Sequence, residues 1–434
     1  MRQIGPTDRN PWAWIPSLYL AEGIPYAVVM IVSVVMYKRM GISNTDIAFY
    51  TSWLYLPWVL KPFWSPVVDM LRTKRFWIVA MQLLLGGCLA AVALSLPEAN
   101  FFRYTLAFFW IMAFSSATHD IAADGFYMLG LKTHQQAAFI GVRNLFYRLA
   151  MIAAQGALVV LAGFLECRTS SVAAAWSVTF FVLAALLMAL CIYHASVLPF
   201  PVPDRPAPRA ESKSFISGFR ESFNLFFKRQ EIYAVMAFLL LYRFAEAQLV
   251  KMTAPFLLDA RQVGGLGLTT AQVGLAYGTV GVAMLMLGGL IGGYVISKQG
   301  LKFWLWSMVF MMHLPDLAFV YLSWAMPENF MLISLAISVE QFGYGFGFTA
   351  YALFMIMVSE GNYKTVHYAL CTGFMALGMM IPGMMSGWLQ ELVGYRYFFI
   401  WIMISTIPGF IVPALVRIDP RFGKKNREGE GNHV

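Results

Sequence analysis

Apolar runs of about twenty residues recur from one end of this 434-residue chain to the other, and they decide its fold class. A run of that length, wound as a helix rising ~1.5 Å per residue, matches the ~30 Å hydrocarbon core of a bilayer. Composition agrees, with 59% hydrophobic and 12% charged residues, about half the charged share of a water-facing domain, which is roughly 25%. The expectation is an all-α membrane protein with twelve transmembrane helices. They fall at about 12–37, 46–69, 76–96, 104–130, 136–163, 172–196, 232–258, 271–296, 302–323, 329–358, 366–390 and 395–416.

The net charge of +9 follows from topology, not from nucleic acid. About 20 of the 31 Lys and Arg fall in the N-terminus, the even-to-odd loops and the tail. That bias predicts both termini in the cytoplasm. The first apolar stretch is too long for a signal-peptide core and carries Glu22, so it reads as a true span. Four scattered cysteines show no metal or redox spacing. No GxxxxGK[ST] loop is present, so ATP is not the expected energy source, and no HExxH or nucleophile–base pair suggests an enzyme. No cofactor and no metal are expected.

The longest polar interruption, 197–231, is Pro-rich at first. It then places Phe215, Ile216, Phe219, Phe223, Phe226 and Phe227 on one helical stripe. That pattern predicts a helix lying on the cytoplasmic membrane face. The expected organisation is an N-terminal six-helix bundle (1–196), this linker (197–231), a C-terminal six-helix bundle (232–416) and a cytoplasmic tail (417–434). The halves look like copies. VVDMLRTKRFW (67–77) matches YVISKQGLKFW (294–304), Ala21-Glu22 recurs as Ala245-Glu246, and 136–163 aligns with 367–394, at offsets of 227, 224 and 231. Two parallel six-helix repeats resemble the major facilitator superfamily, in which the substrate path runs between the halves near the midplane.

Ionisable residues inside spans are expensive, at ~2.5–3.5 kcal/mol each on the lenient insertion scale, so each is a functional candidate. Asp120 and Asp124 on span 4 are level with Arg143 and Arg148 on span 5, which predicts the pairs Asp124–Arg143 and Asp120–Arg148. Glu22, followed by Gly23 and Pro25, reads as a lone acid at mid-depth. Glu22, Asp120 and Asp124 are the candidates for proton coupling. Lys61, roughly 12 Å from the cytoplasmic end of span 2, could compete for the same acids, and Pro57, Pro62 and Pro66 around it suggest a bent helix lining a cavity. Arg243 and Glu246 at i, i+3 predict a local ion pair, while His313 and Asp316 share a face around Pro315. Glu340 and Gln341 begin a Gly-rich run that permits close helix approach. Tyr26 and Tyr242, each within four residues of a buried charge, are candidates for stacking on a ligand. The expected substrate-binding set is Tyr26, Lys61, Arg148, Tyr242, Arg243, Glu246, Glu340 and Gln341.

YLPWVLKPFWSPVVD (55–69), SSATHDIAADGF (115–126), LLLYRFAEAQLVKMTAPFLLD (239–259) and VEQFGYGFGFTAYALFMIMVSEGNYKTVHYAL (339–370) resemble the AmpG-type muropeptide permeases, relatives of acetyl-coenzyme A transporters. The resemblance implies proton-driven import of N-acetylglucosaminyl-anhydromuramyl saccharides or peptides across a bacterial inner membrane. Lys61, Asp69, Asp120, Asp124, Glu246 and Glu340 hold the polar positions of the matching stretches. Asp124 is followed here by Gly125-Phe126-Tyr127-Met128 where the family often has an aromatic and an arginine, and Glu246 replaces the family's aspartate. Asp69 with the RTKR loop resembles the superfamily's cytoplasmic latch, making Asp69, Arg72, Arg75 and Arg143 gate candidates. The expected protein is a monomeric proton symporter for an amino-sugar saccharide. The alternatives are a carrier of an anionic acyl or nucleotide compound and a non-transporting membrane sensor.

Overall fold

The computed structural model describes residues 9–169, 171–201, 204, 220–360 and 364–424, and no strand occurs among them. Ten helical stretches are long and apolar enough to cross a bilayer. The last of them, Val366–Leu415, reverses at Gly394, whose φ of 74° suits a residue without a Cβ. It therefore holds spans 11 and 12. Span 2 escapes the set because it is broken at Leu54-Tyr55 into Asn44–Trp53 and Leu56–Leu71. Pro57 opens the second piece, where its missing N–H would have been unpaired anyway. Twelve passes result, arranged as two six-helix bundles.

Large apolar side chains cover the outside: Leu94, Ile192, Leu290 and Met331 are 66–75% exposed. In water such surface is unfavourable by about 25 cal/mol per Å², whereas lipid accepts it. Polar groups turn inward. In the first bundle Gln82 joins two buried histidines, with His119 Nε2 and His194 Nδ1 each 2.9 Å from its amide, and His194 Nε2 lies 2.9 Å from Ser17 Oγ. This chain ties spans 1, 3, 4 and 6 together, and His119 is part of the bundle's framework, turned away from Asp120.

The bundles meet along two seams, span 2 against span 11 and span 5 against span 8. At the second seam both helices widen into π turns, Ala153–Leu158 and Gly274–Gly281. A third π turn, Val28–Val32, interrupts span 1 just beyond Pro25. Such turns are rare and tend to mark functional places. A Cβ on Gly278 would fall on the carbonyl of Gln155, and one on Gly156 would fall on Thr279 Oγ1. The seam is backbone against backbone.

The linker docks on the protein. Asp204 accepts the backbone N–H groups of Lys74 and Arg75 at 2.6 and 3.1 Å, capping span 3. Residues 220–227 are helical as expected, but the stripe faces the bundle: Phe226 is fully buried and stacks on Phe374 of span 11 at 6.3 Å. The ring of Phe374 offers this face an apolar partner other than lipid. Phe215, Ile216 and Phe219 lie outside the described residues.

Candidate transport cavity

A cavity of about 1020 Å³ lies between the bundles. The first bundle contributes Glu22 and Tyr26 from span 1, Trp58 and Lys61 from span 2, Asp120 and Asp124 from span 4, and Arg143, Tyr147 and Arg148 from span 5. The second contributes Arg243, Gln341, Tyr344 and Phe348. The break that permits Lys61 and Trp58 to face inward is the one at Leu54-Tyr55. Tyr26 packs edge-on against Trp58 at 5.3 Å, giving the wall an aromatic corner.

The charges do pair, though only half as expected. Asp124 accepts from Arg143 at 2.6 Å, and the guanidinium also lies 4.7 Å from the centre of the Tyr19 ring. Asp120 pairs instead with Lys61 of span 2, and Arg148 makes no ion pair among the described residues. Depth alone misled the assignment. Four residues advance a helix by one turn plus about 40°, so two acids on span 4 aim at different neighbours. Glu22 is not isolated: carboxylate oxygens of Glu22, Asp120 and Asp124 lie within 4.8 Å of one another, and Glu22 Oε2 is buried without a hydrogen-bond partner. Three acids and two bases thus share one wall, with Arg148 close by in the lining.

The second bundle departs further from expectation. Span 7 breaks at Tyr242-Arg243, between Ile232–Leu241 and Phe244–Leu258. Arg243, at φ −109° and ψ 23°, leaves the helical path, so the i, i+3 geometry that would bring it to Glu246 is lost and no ion pair forms. It donates to Tyr344 and lies 5.0 Å from the Phe348 ring centre. Tyr242 is not a cavity residue. It is fully buried, stacked on Phe238 and Tyr351, and donates to the Gly347 carbonyl at 3.1 Å. Glu246 and Glu340 also lie behind the wall, grouped with Asp316, and do not line the cavity. Gln341 does line it, and its amide donates to Glu340 at 2.9 Å.

The end expected to bear the gate stands open, and the opposite end is closed. The cavity runs to the face bearing the turns after spans 2 and 4, reaching Arg72, Lys74, Leu129 and Asp204. There Arg75 donates to the carbonyls of Ala195 and Leu198 and sits 3.9 Å from the Phe200 ring centre. It holds its own half to the linker and latches nothing across the gap. Arg143 is in the wall, Arg72 is at the mouth, and the side chain of Asp69 lies outside the described residues. The opposite end is closed by polar links between the halves. Lys38 pairs with Asp259 at 2.7 Å. Asn44 donates to Gln390 at 2.5 Å and Tyr395 at 2.9 Å, and Tyr395 in turn donates to Asp259 of its own half at 2.6 Å. Thr45 donates to Glu391 at 2.5 Å, and Glu166 bridges Arg39 and Thr270 at 2.9 and 2.7 Å. Lys251, deep in span 7, donates to Thr51 of span 2 at 2.9 Å. Apart from Lys251 and Thr51, these residues sit at or near span ends, where charges are ordinary, so only their pairing across the halves distinguishes them.

The sequence pattern of the Major Facilitator Superfamily matches residues 17–364. The chain is 24% identical over 408 residues to the anhydromuropeptide permease of Escherichia coli, covering 92% of this chain and 78% of that one. This bears out the resemblance to the AmpG-type permeases. Among solved structures, the nucleoside transporter NupG superposes with a TM-score of 0.66 at 14% identity, covering 95% of this chain and all of that one. A bacterial homologue of the lysosomal transporter Spinster, in an inward-facing and unoccupied conformation, gives 0.67 at 15% identity, covering 94% and 97%.

Proposed function

Because the chain belongs to the Major Facilitator Superfamily, we propose that it is a proton-coupled secondary transporter, not an enzyme. Its substrate is an amino-sugar saccharide, a muropeptide or an N-acetylglucosamine-containing disaccharide, imported across a bacterial inner membrane. Both termini lie in the cytoplasm, on the strength of the basic loops, so the cavity as it stands opens inward. The observation that carries this reading is the wall on which Glu22, Asp120, Asp124, Lys61 and Arg143 meet in a cavity of about 1020 Å³. That volume is at the top of the ~300–1,000 Å³ range of ligand sites, which suits a disaccharide bearing a peptide better than a single small solute. The similarity to the anhydromuropeptide permease supports the same substrate class.

The geometry suggests how a proton and a saccharide help one another. A carboxylate paired with a guanidinium is stable in the wall, as are Asp124 with Arg143 and Asp120 with Lys61. Protonating one carboxylate removes its charge and leaves the base without a partner, which is unfavourable in a dry wall. An acidic group on the substrate can then take that base, with the charge-assisted hydrogen bonds that Arg makes to a carboxylate. Tyr26 and Trp58 offer an aromatic face to the sugar ring. The substrate therefore binds the protonated carrier better than the deprotonated one, and by linkage the proton binds better when substrate is present. Release to a cytoplasm of higher pH restores the wall's own pairs.

Uptake of a labelled saccharide panel by proteoliposomes, with and without an imposed pH gradient, tests the proposal. Muropeptide-type saccharides are expected to accumulate only with the gradient inwardly directed. Indifference to the gradient would defeat proton coupling, and uptake of acyl-coenzyme A without any sugar would replace the substrate class.

A further inference from the structure

A second group of acids lies in the C-terminal bundle, outside the cavity lining. Glu246 of span 7, Asp316 at the break of span 9 and Glu340 of span 10 are each no more than 1% exposed. One carboxylate oxygen from each lies within 4.8 Å of the other two. Unlike the cavity acids, this group has no ion-paired base. Arg243, the nearest base along span 7, is turned to Tyr344 and the ring of Phe348. His313, one turn before Asp316, packs on the Tyr242 and Phe410 rings at 6.1 and 5.4 Å. The second observation concerns the oxygens themselves: both of Glu246 and both of Asp316 are buried without a hydrogen-bond partner. A satisfied structural cluster would have donors there, because a buried carboxylate without one is strongly unfavourable.

We propose that Glu246, Asp316 and Glu340 form a binding site for a hard monovalent cation, Na⁺ or Li⁺, that clamps spans 7, 9 and 10. The donor set is all oxygen, which selects hard ions over the softer transition metals. With one oxygen of each acid within 4.8 Å of the other two, all three can reach a single ion at metal–oxygen distances of about 2.0–2.6 Å. The number of available oxygens favours a monovalent ion over Ca²⁺. One oxygen of Glu340 is already taken by the Gln341 amide. That leaves the four oxygens of Glu246 and Asp316 and one of Glu340, short of the six to eight that Ca²⁺ takes. Glu340 is adjacent to Gln341, which lines the cavity, and Glu246 is one turn from Arg243, which also lines it. An ion here would fix the two cavity-facing helices of this half without touching the substrate. No single segment carries the site, since each span supplies one acid.

The inference stands apart from proton-coupled saccharide uptake, and its test needs no substrate. Thermal unfolding of the purified full-length protein is followed at constant ionic strength in NaCl, LiCl, KCl, choline chloride, and choline chloride with CaCl₂. A ligand that binds only the folded state raises its melting temperature in proportion to saturation. A saturable rise in Na⁺ or Li⁺ over choline is expected, absent in Asp316→Asn and in Glu340→Gln, each tested so that one misfolded variant does not decide the matter. No difference between Na⁺ and choline would overturn the proposal, as would an equal rise in K⁺ or a rise only with Ca²⁺. So would a response to pH alone, which marks a site for protons, or a full Na⁺ response in folded Asp316→Asn.

Discussion

Asp259 is where the closed end of the carrier is most open to quantitative test. Its carboxylate holds Lys38 at 2.7 Å and accepts a longer hydrogen bond from Asn44 at 3.4 Å, both from the other half, while Tyr395 of its own half donates to it at 2.6 Å, so Asp259→Ala removes two links between the halves at once. The ion pair is partly exposed, at 15% and 17%, and such pairs contribute only ~0.2–1 kcal/mol. The long hydrogen bond from Asn44 to the same carboxylate adds about 0.5–1.5 kcal/mol. Neither crossing link can exist when this end opens, so their loss shifts the balance toward the open form by about 1–2 kcal/mol, or roughly 5- to 30-fold. Lys38→Met removes the ion pair alone and should give a smaller shift. The assay is a distance distribution between spin labels at Glu98→Cys and Val263→Cys, exposed positions on the two halves at this end. The exposed Cys167 is replaced by Ser. The parent should give one short distance, and Asp259→Ala a second, longer population. A distribution unchanged by Asp259→Ala, or a larger change in Lys38→Met, would refute the reasoning.

Three further tests address the wall, the framework and the seam. Charge reversal in Asp124→Arg or Arg143→Asp should abolish gradient-driven uptake, and the combined variant should recover part of it; a double no better than either single refutes the pairing. Gln82→Leu leaves two buried histidines without their shared partner and should lower stability by about 1–3 kcal/mol, seen as a lower melting temperature, while an unchanged value would show that water replaces the amide. Gly278→Val drives a side chain into the Gln155 carbonyl and should cost about 1–3 kcal/mol together with most transport activity. Unaltered stability and uptake in Gly278→Val would mean that the helices separate freely there.

The sequence made the twelve passes and two halves readable because lipid imposes a length and a composition on each span. The Asp124–Arg143 pair was also legible, since antiparallel neighbours at equal depth must meet. What failed were readings that needed azimuth or an unbroken helix. Asp120 found Lys61 because a 40° rotation is invisible to a depth argument. Arg243 and Glu246 separated because span 7 breaks at Tyr242-Arg243, and neither residue is Gly or Pro to announce it. The latch around Asp259 was missed for another reason: Lys38, Asn44 and Asp259 resemble ordinary loop polarity until the two halves are placed face to face. Likewise, the group of Glu246, Asp316 and Glu340 required three helices to be packed before it existed.

Because main chain touches main chain where Gly278 meets Gln155, this joint carries no side-chain chemistry of its own. Its fit is set by the backbone and by the missing Cβ of Gly278, and Tyr26, Trp58 and Arg148 line the cavity without being part of that contact. Redesign of cargo preference in this protein can therefore begin in the vestibule and leave its bearing untouched.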